Sequence, residues 1–445
     1  MPAADDPGTV HAGGAPVTSA GSRMAWLDAL RGIAALLVVY EHLTHVLFNR
    51  YRLAVEQWFF AGYAGVCLFF LVSGYIIPAS LEHKGSLRGF WVSRGFRLYP
   101  LFAFVLVLLV ALDLAGLRPI APKGLPHPLA TVGAHTMMLP ALLGMPDILG
   151  VTWTLAFEMA FYLLVAALFA VGAHKASPLV ALALAGTAFV VSGDIPLLAL
   201  SHSPLGSRNL VILVMLVFAV ALGAVLTGRR RLAVAGAVLG GLLAVTLLLF
   251  NQDPVHRRDG LFIPALMFTG TTIYRAHRRQ ISRWWAVVVP VAVAGMWIVE
   301  GFRELNSYPP AFQQYKPRVV ITLGVVAALF ATGMALRNRR IPRMLAWLGL
   351  VSYSVYLLHL VVFETIEPHL GLGAGPSTAR WYVQLLLFIG LVGLVLGASA
   401  LTYRFIEAPA QRLGRRVARW LEARHGSDHV PAAVVVPAPV AVPAD

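Results

Sequence analysis

The sequence predicts an all-α fold, a polytopic transmembrane helical bundle of about 10–12 spans with both termini cytoplasmic. Three observations carry that prediction. Of the 445 residues, 58% are hydrophobic and only 12% charged, against roughly 25% charged in a soluble domain. Apolar runs long enough to cross a bilayer recur from one end of the chain to the other. Basic clusters fall in every second connection between those runs. The mean hydropathy of +0.75 also excludes a disordered, collagenous or coiled-coil chain. The single cysteine, Cys67, excludes a disulfide framework and a multi-thiolate metal site. A net charge of +15 suggests nucleic acid at first sight. Placed in loops, the charge faces anionic lipid headgroups instead, and no nucleic-acid partner is expected.

Residues 1–22 are rich in Ala, Gly, Pro and Ser without an apolar core run, and read as a disordered leader rather than a cleavable signal. Residues 23–425 form the membrane domain. Residues 426–445 are an Ala/Val/Pro tail whose prolines forbid a continuing helix. Candidate spans run near 25–47, 58–80, 98–116, 151–172, 178–200, 209–227, 232–250, 261–274, 284–300, 318–336, 344–366 and 382–404. The run at 261–274 is short for a crossing, and 178–200 contains Asp194 and Pro196. Thr131–Gly144 is apolar but shorter still, and reads as a re-entrant or interfacial segment. With twelve crossings and a cytoplasmic N-terminus, 23 Lys/Arg fall inside and 10 outside. That asymmetry obeys the positive-inside rule and would break if an odd number of crossings were lost. No internal repeat relates the two halves, which counts against a transporter.

Ionisable residues inside a span are costly and mark functional sites by default. In the first span Asp28 and Arg31 are three apart and can pair on one face. His42 lies eleven beyond Arg31. Eleven residues make about three full turns, so Arg31 and His42 share a face roughly 16 Å apart along the axis. A fixed cation toward the inside and a titratable imidazole toward the outside suit an anionic donor entering from the cytoplasm. One continuous polar tunnel should then join them. The competing reading is an interfacial ion pair and a core histidine. Glu41-His42-Leu-Thr-His45 also offers two imidazoles at metal-ligand spacing, but no second ligand cluster accompanies it, and no metal is expected. Cys67, buried in an apolar span, is expected to be inert.

Ser73 and Gly74 in the second span allow close helix approach and a hydrogen bond across it. Arg88, Arg94, Arg97 and Tyr99 read as a cytoplasmic loop, where guanidinium forks would grip phosphate or anchor the membrane surface. Glu158, one to two turns into the fourth span, has no charged neighbour in sequence and can reach His42 by depth. Trp153 precedes it. In the eleventh span Tyr356 and His359 lie toward the outside. His359 and Glu364 match a His-x4-acid pair only superficially, since five residues apart on a helix they point about 140° away from each other.

Together these segments resemble acyltransferase family 3, the bacterial integral-membrane O-acyltransferases. The resemblance rests on Leu27-Asp28-x-Leu30-Arg31-Gly32 with His42, Phe69-Phe70-Leu-Val-Ser73-Gly74-Tyr75, and Arg94-x-x-Arg97-Leu-Tyr99-Pro100. It continues through Trp153-Thr154-Leu155-x-x-Glu158-x-x-Phe161-Tyr162, Gly349-x-x-Ser352-Tyr353-Ser354-x-Tyr356-Leu-x-His359 and Tyr403-Arg404-Phe-Ile-Glu407-x-Pro409. It covers roughly 25–412, and six motifs in one order make it specific. The resemblance implies a stand-alone member, without a fused extracytoplasmic hydrolase-like domain, in the bacterial plasma (inner) membrane. It implies transfer of an acetyl or short acyl group from cytoplasmic acyl-CoA, most simply acetyl-CoA, to a hydroxyl of a glycan or glycosylated small molecule. His42, Glu158 and Arg31 are then the expected catalytic residues, with Glu158 orienting His42. Arg94, Arg97 and Tyr99 would hold acyl-CoA. Asp28, Ser73, Trp153, Tyr356 and His359 would line the substrate, and loop 117–150 could contact the acceptor. A multi-span transporter or flippase without acyl-transfer chemistry is the alternative.

Overall fold

The computed structural model describes residues 25–120, 125, 127–191, 197–252, 259–370 and 380–425. The expected leader and tail, Asp194 and Pro196 lie outside the described residues. Fifteen α-helices and no strand occur among those described. In chain order they are α1 (Ala25–Leu47), α2 (Asn49–Glu56), α3 (Ala61–Lys84), α4 (Leu87–Leu114), α5 (Pro128–Thr136), α6 (Thr152–Ala170), α7 (Ser177–Val191) and α8 (Pro204–Leu226). There follow α9 (Arg230–Phe250), α10 (Asp259–His277), α11 (Trp285–Ser307), α12 (Lys316–Ala335), α13 (Arg343–Ile366), α14 (Trp381–Thr402) and α15 (Ala408–His425). Eleven segments among the described residues are long and apolar enough to cross a membrane. The expected all-α polytopic bundle is what the chain forms.

The core is built where backbones approach closely. A Cβ on Gly349 of α13 would lie 2.0 Å from the Asp28 carbonyl oxygen of α1, and one on Gly32 would lie 2.7 Å from Leu348 Cβ. This mutual pair of glycines lets α1 and α13 touch along their backbones, as small residues do between membrane helices. Gly74 of α3 sits equally close to the Met267 carbonyl of α10, and Thr271 Oγ1 donates to the Gly74 carbonyl at 2.8 Å. Gly74 therefore serves the packing of α3 on α10, and Ser73 beside it is buried.

Helix α10 is the short run at 261–274, grown to 19 residues. All but Ile273 and His277 are buried, and it packs on α3, α7 and α11. It is absent from the eleven apolar segments because Asp259, Arg275 and three threonines lower its hydropathy. Protein rather than lipid surrounds it, so polar side chains are tolerated when satisfied. Thr269, Thr271 and Thr272 each return a hydroxyl hydrogen bond to a carbonyl four residues back.

The Arg88–Pro100 stretch corrects the expectation of a loop. Gly85 ends α3 in the left-handed region at φ 64°, and Ser86 caps α4 by accepting from Gly89 N at 2.9 Å. Two residues complete the turn, and α4 runs 28 residues, about 42 Å. The arginines are helical, and Arg88 and Arg94 are buried.

The Thr131–Gly144 segment becomes α5 followed by a 3-10 turn at Ala141–Leu143. Met138, Leu139, Leu142 and Leu143 are fully buried, and Asn251 Nδ2 donates to the Leu142 carbonyl at 2.9 Å. It is a folded cap against α8 rather than a crossing.

Candidate active site

Two clusters of polar side chains lie along one face of α1. At its N-terminal end Arg31 is buried, its guanidinium carbon 5.7 Å from the Phe69 ring centroid of α3. Phe69 stacks in turn on Tyr356 of α13, 6.4 Å between centroids and 7° between planes. Arg94 of α4 lies over the Phe90 ring at 5.4 Å and the Tyr162 ring of α6 at 5.3 Å. Tyr162 OH donates to Glu158 Oε1 at 2.6 Å. Glu158 is in electrostatic reach of both Arg31 and Arg94, and Arg97 reaches Asp28, Arg31 and Glu407. Three guanidiniums and three carboxylates therefore share this end. Burying one of those charges without the others would cost several kcal/mol per ion.

At the other end, His42 lies against His359 of α13, the ring centroids 5.1 Å apart. His359 is fully buried. Its Nδ1–H donates to the Val355 carbonyl at 3.2 Å, and its Nε2 has no hydrogen-bond partner. With Nδ1 as the donor, the neutral ring presents Nε2 as a bare acceptor. His45 on the same helix is also within electrostatic reach of His42. Glu158 does not orient His42 here. Its hydroxyl partner and the cations in its reach lie at the arginine end, because α6 turns that face toward α4.

Between the two ends lies a cavity walled by Ala34, Ala35 and Val38 of α1, Gly65, Val66 and Phe69 of α3, Thr154, Ser352 and Tyr356. The three α1 residues fall between Arg31 and His42, as a shared face requires. Its volume is about 20 Å³, room for one water at roughly 10–15 Å³ each. This corrects the expected open polar tunnel: small apolar side chains wall the cavity, and neither Arg31 nor His42 lines it. Tyr356 OH crosses its wall, 2.7 Å from Thr154 Oγ1 and donating to the Val151 carbonyl at 3.2 Å. A second cavity, about 360 Å³, lies between α4, α6 and α8, lined by Arg94, Tyr99, Trp91, Met159 and Phe218 among others.

Trp153 is half-buried at the start of α6, its backbone N–H on Asp147 Oδ2 at 3.2 Å. Its edge meets Phe157. Glu364, five beyond His359, pairs with Arg118 and takes no part in the histidine pair, as the helical angle requires. Ser354 and Glu407, which the sequence offered only as motif positions without a role, meet here: Ser354 Oγ donates to the buried Glu407, with Thr402 Oγ1 donating to Ser354 at 3.0 Å. Glu407 closes a π-turn, Tyr403–Glu407, between α14 and α15. Such turns often mark functional positions, but the basic helix around it hid the signal. No cluster of three or more metal-ligating side chains occurs among the described residues.

The acyltransferase domain family model matches residues 24–404, and the chain belongs to that family. A Staphylococcus aureus (strain MSSA476) protein named "Putative O-acetyltransferase" is 36% identical over 100 residues, 21% of this chain and 14% of that protein. The counterpart of strain MRSA252 matches to the same extent. A Rhizobium radiobacter protein, "Protein 2 in picA locus", is 34% identical over 98 residues, 20% of this chain and 45% of that protein. The matched stretch thus spans less than half the length of each relative. No solved structure matches the chain.

Proposed function

We propose that this member of the acyltransferase family is an O-acyltransferase of the bacterial plasma membrane. It would move an acetyl or short acyl group from cytoplasmic acyl-CoA to a hydroxyl of a glycan or glycosylated small molecule. The observation that carries the reading is the paired histidine end, His42 against His359 at 5.1 Å, on the α1 face that also carries buried Arg31. His42 takes the proton of the acceptor hydroxyl as general base. The hydroxyl oxygen bonds to the thioester carbonyl carbon beside His42, and Arg31, about three turns away, helps Arg94 and Arg97 position the donor. Collapse breaks the C–S bond, and CoA leaves as a thiol with the proton His42 had taken. His359 Nε2, a bare acceptor, holds the His42 N–H after a small tilt of either ring, which leaves the other His42 nitrogen free for the hydroxyl.

Acyl-CoA meets a suitable donor set at the arginine end. Guanidiniums suit its phosphates, and the cavity beside Arg94 and Tyr99, otherwise lined by apolar side chains, has the volume of a pocket for an apolar group. The single-water cavity between the ends must widen for thioester and hydroxyl to meet. With both termini cytoplasmic, the arginine end faces the donor. The test compares acylated glycans and metabolites by mass in cells with and without this chain, and with His42→Ala. An acyl increment that depends on the chain and is lost in the variant supports the reading. An identical acylation profile in all three overturns it.

A further inference from the structure

Helix α15 follows the last apolar segment through the π-turn at Tyr403–Glu407, and its sequence is unlike that of any span: APAQRLGRRVARWLEARH. Arg412, Arg415, Arg416, Arg419 and Arg424 are all exposed. At 100° per residue the first four fall within an arc of about 100°, over roughly 10 Å of axis. The opposite face is a seam on α4. A Cβ on Gly414 would lie 2.5 Å from Phe96 Cβ, and Glu422 Oε1 lies 3.5 Å from the same position on Gly89. Helix α15 thus runs antiparallel to the α4 stretch that carries Arg94 and Arg97. Beside the arginine arc, Leu413 is 50% and Trp420 53% exposed. Arg424 lies over the Trp420 ring at 5.2 Å.

We infer that this face of α15 is a docking surface for the headgroups of anionic phospholipids. Charge complementarity decides the occupant. Four guanidiniums in one arc would repel one another without an anion opposite them, and the one acidic side chain at the arc's edge, Glu422, turns toward Gly89 of α4. An exposed tryptophan and leucine along its edge suit the boundary between headgroups and acyl chains, where Trp is enriched. Arginine forks bind lipid phosphate bidentately. The inference does not rest on the proposed reaction.

The test uses the purified full-length protein and vesicles of phosphatidylcholine or of equal parts phosphatidylcholine and phosphatidylglycerol. The readouts are the phosphatidylglycerol retained by the protein after re-extraction and its melting temperature in each lipid. Wild type is expected to retain phosphatidylglycerol selectively and to melt higher in its presence, and high salt should erase both effects. Each Arg→Gln change among Arg412, Arg415, Arg416 and Arg419 should weaken retention about five-fold, whereas the four Arg→Lys changes together should keep most of it. Equal retention of the two lipids by wild type overturns the inference, and so does a selectivity untouched by the Gln changes. Should the Gln variants lose CoA binding instead, with lipid selectivity intact, the arc serves the nucleotide phosphates and the lipid assignment fails. The salt titration on wild type decides the matter even if a Gln variant fails to fold.

Discussion

The two ends of the α1 face differ in how their polar groups are satisfied. At the arginine end, Arg31, Arg94 and Arg97 sit among Asp28, Glu158 and Glu407, and charge answers charge. At the histidine end, His42 has another imidazole for company, and the Nε2 of that imidazole is left without a partner. A buried acceptor without a partner costs about 1–3 kcal/mol. The fold leaves that acceptor open at one end while gathering opposite charges at the other. The comparison teaches that the arginine end is held by a fixed set of opposite charges, whereas the histidine end leaves an acceptor open.

The strongest way to break that contrast is His42→Ala. Transfer should fall by about 10² to 10⁴ in kcat, with the helical content and elution of the protein unchanged. Near-normal turnover in folded variant would return His42 to the role of a packed core residue. Next comes Arg94→Gln, which should raise the apparent KM for acyl-CoA about 10- to 100-fold, the value of one charge-assisted hydrogen bond. An unchanged KM for acyl-CoA with a raised KM for the acceptor would exchange the roles of the two ends. A change at the joint that holds both ends to α13, Gly349→Ala, should cost about 1–3 kcal/mol through overpacking against the Asp28 carbonyl. Its thermal unfolding in detergent should show a lower midpoint, and an unshifted midpoint would mean that α1 and α13 can part freely. The smallest effect is expected of Tyr356→Phe. It removes one hydroxyl from the waist between the ends and should cost about 0.5–1.5 kcal/mol in stability, with kcat changed less than by His42→Ala. A loss of kcat equal to that of His42→Ala would move the chemistry from the histidine pair to the waist.

How much was legible in the sequence follows from which force positions each residue. Helix α14 has high hydropathy but buries only Val395 and Ser399 against protein, while α10 has low hydropathy and is buried almost throughout. Hydropathy measures what lipid must accept, so it found α14 at once and underrated α10. The shared face of Arg31 and His42 was legible because a single helix fixes it by 3.6-residue geometry. The partner of Glu158 was not. Depth along a span does not say which way a side chain turns, and α6 turns Glu158 toward Tyr162 and the arginines. The arginine stretch was misread because Gly85 and Ser86 end one helix and cap the next within two residues.

The sequence by itself determined that this chain is a membrane bundle, where its apolar helices lie, and that Arg31 and His42 project from one side of the first of them. Composition and helical periodicity are local properties, and each helix carries them alone. The tertiary structure decided that His359 rather than Glu158 meets His42, and that three carboxylates gather round three arginines. It also decided that the cavity between the ends has room for only one water. Those facts depend on how far the backbones of α1, α3 and α13 can approach. That distance is set by glycines such as Gly32 and Gly349, far apart in the chain, which meet only when the bundle closes.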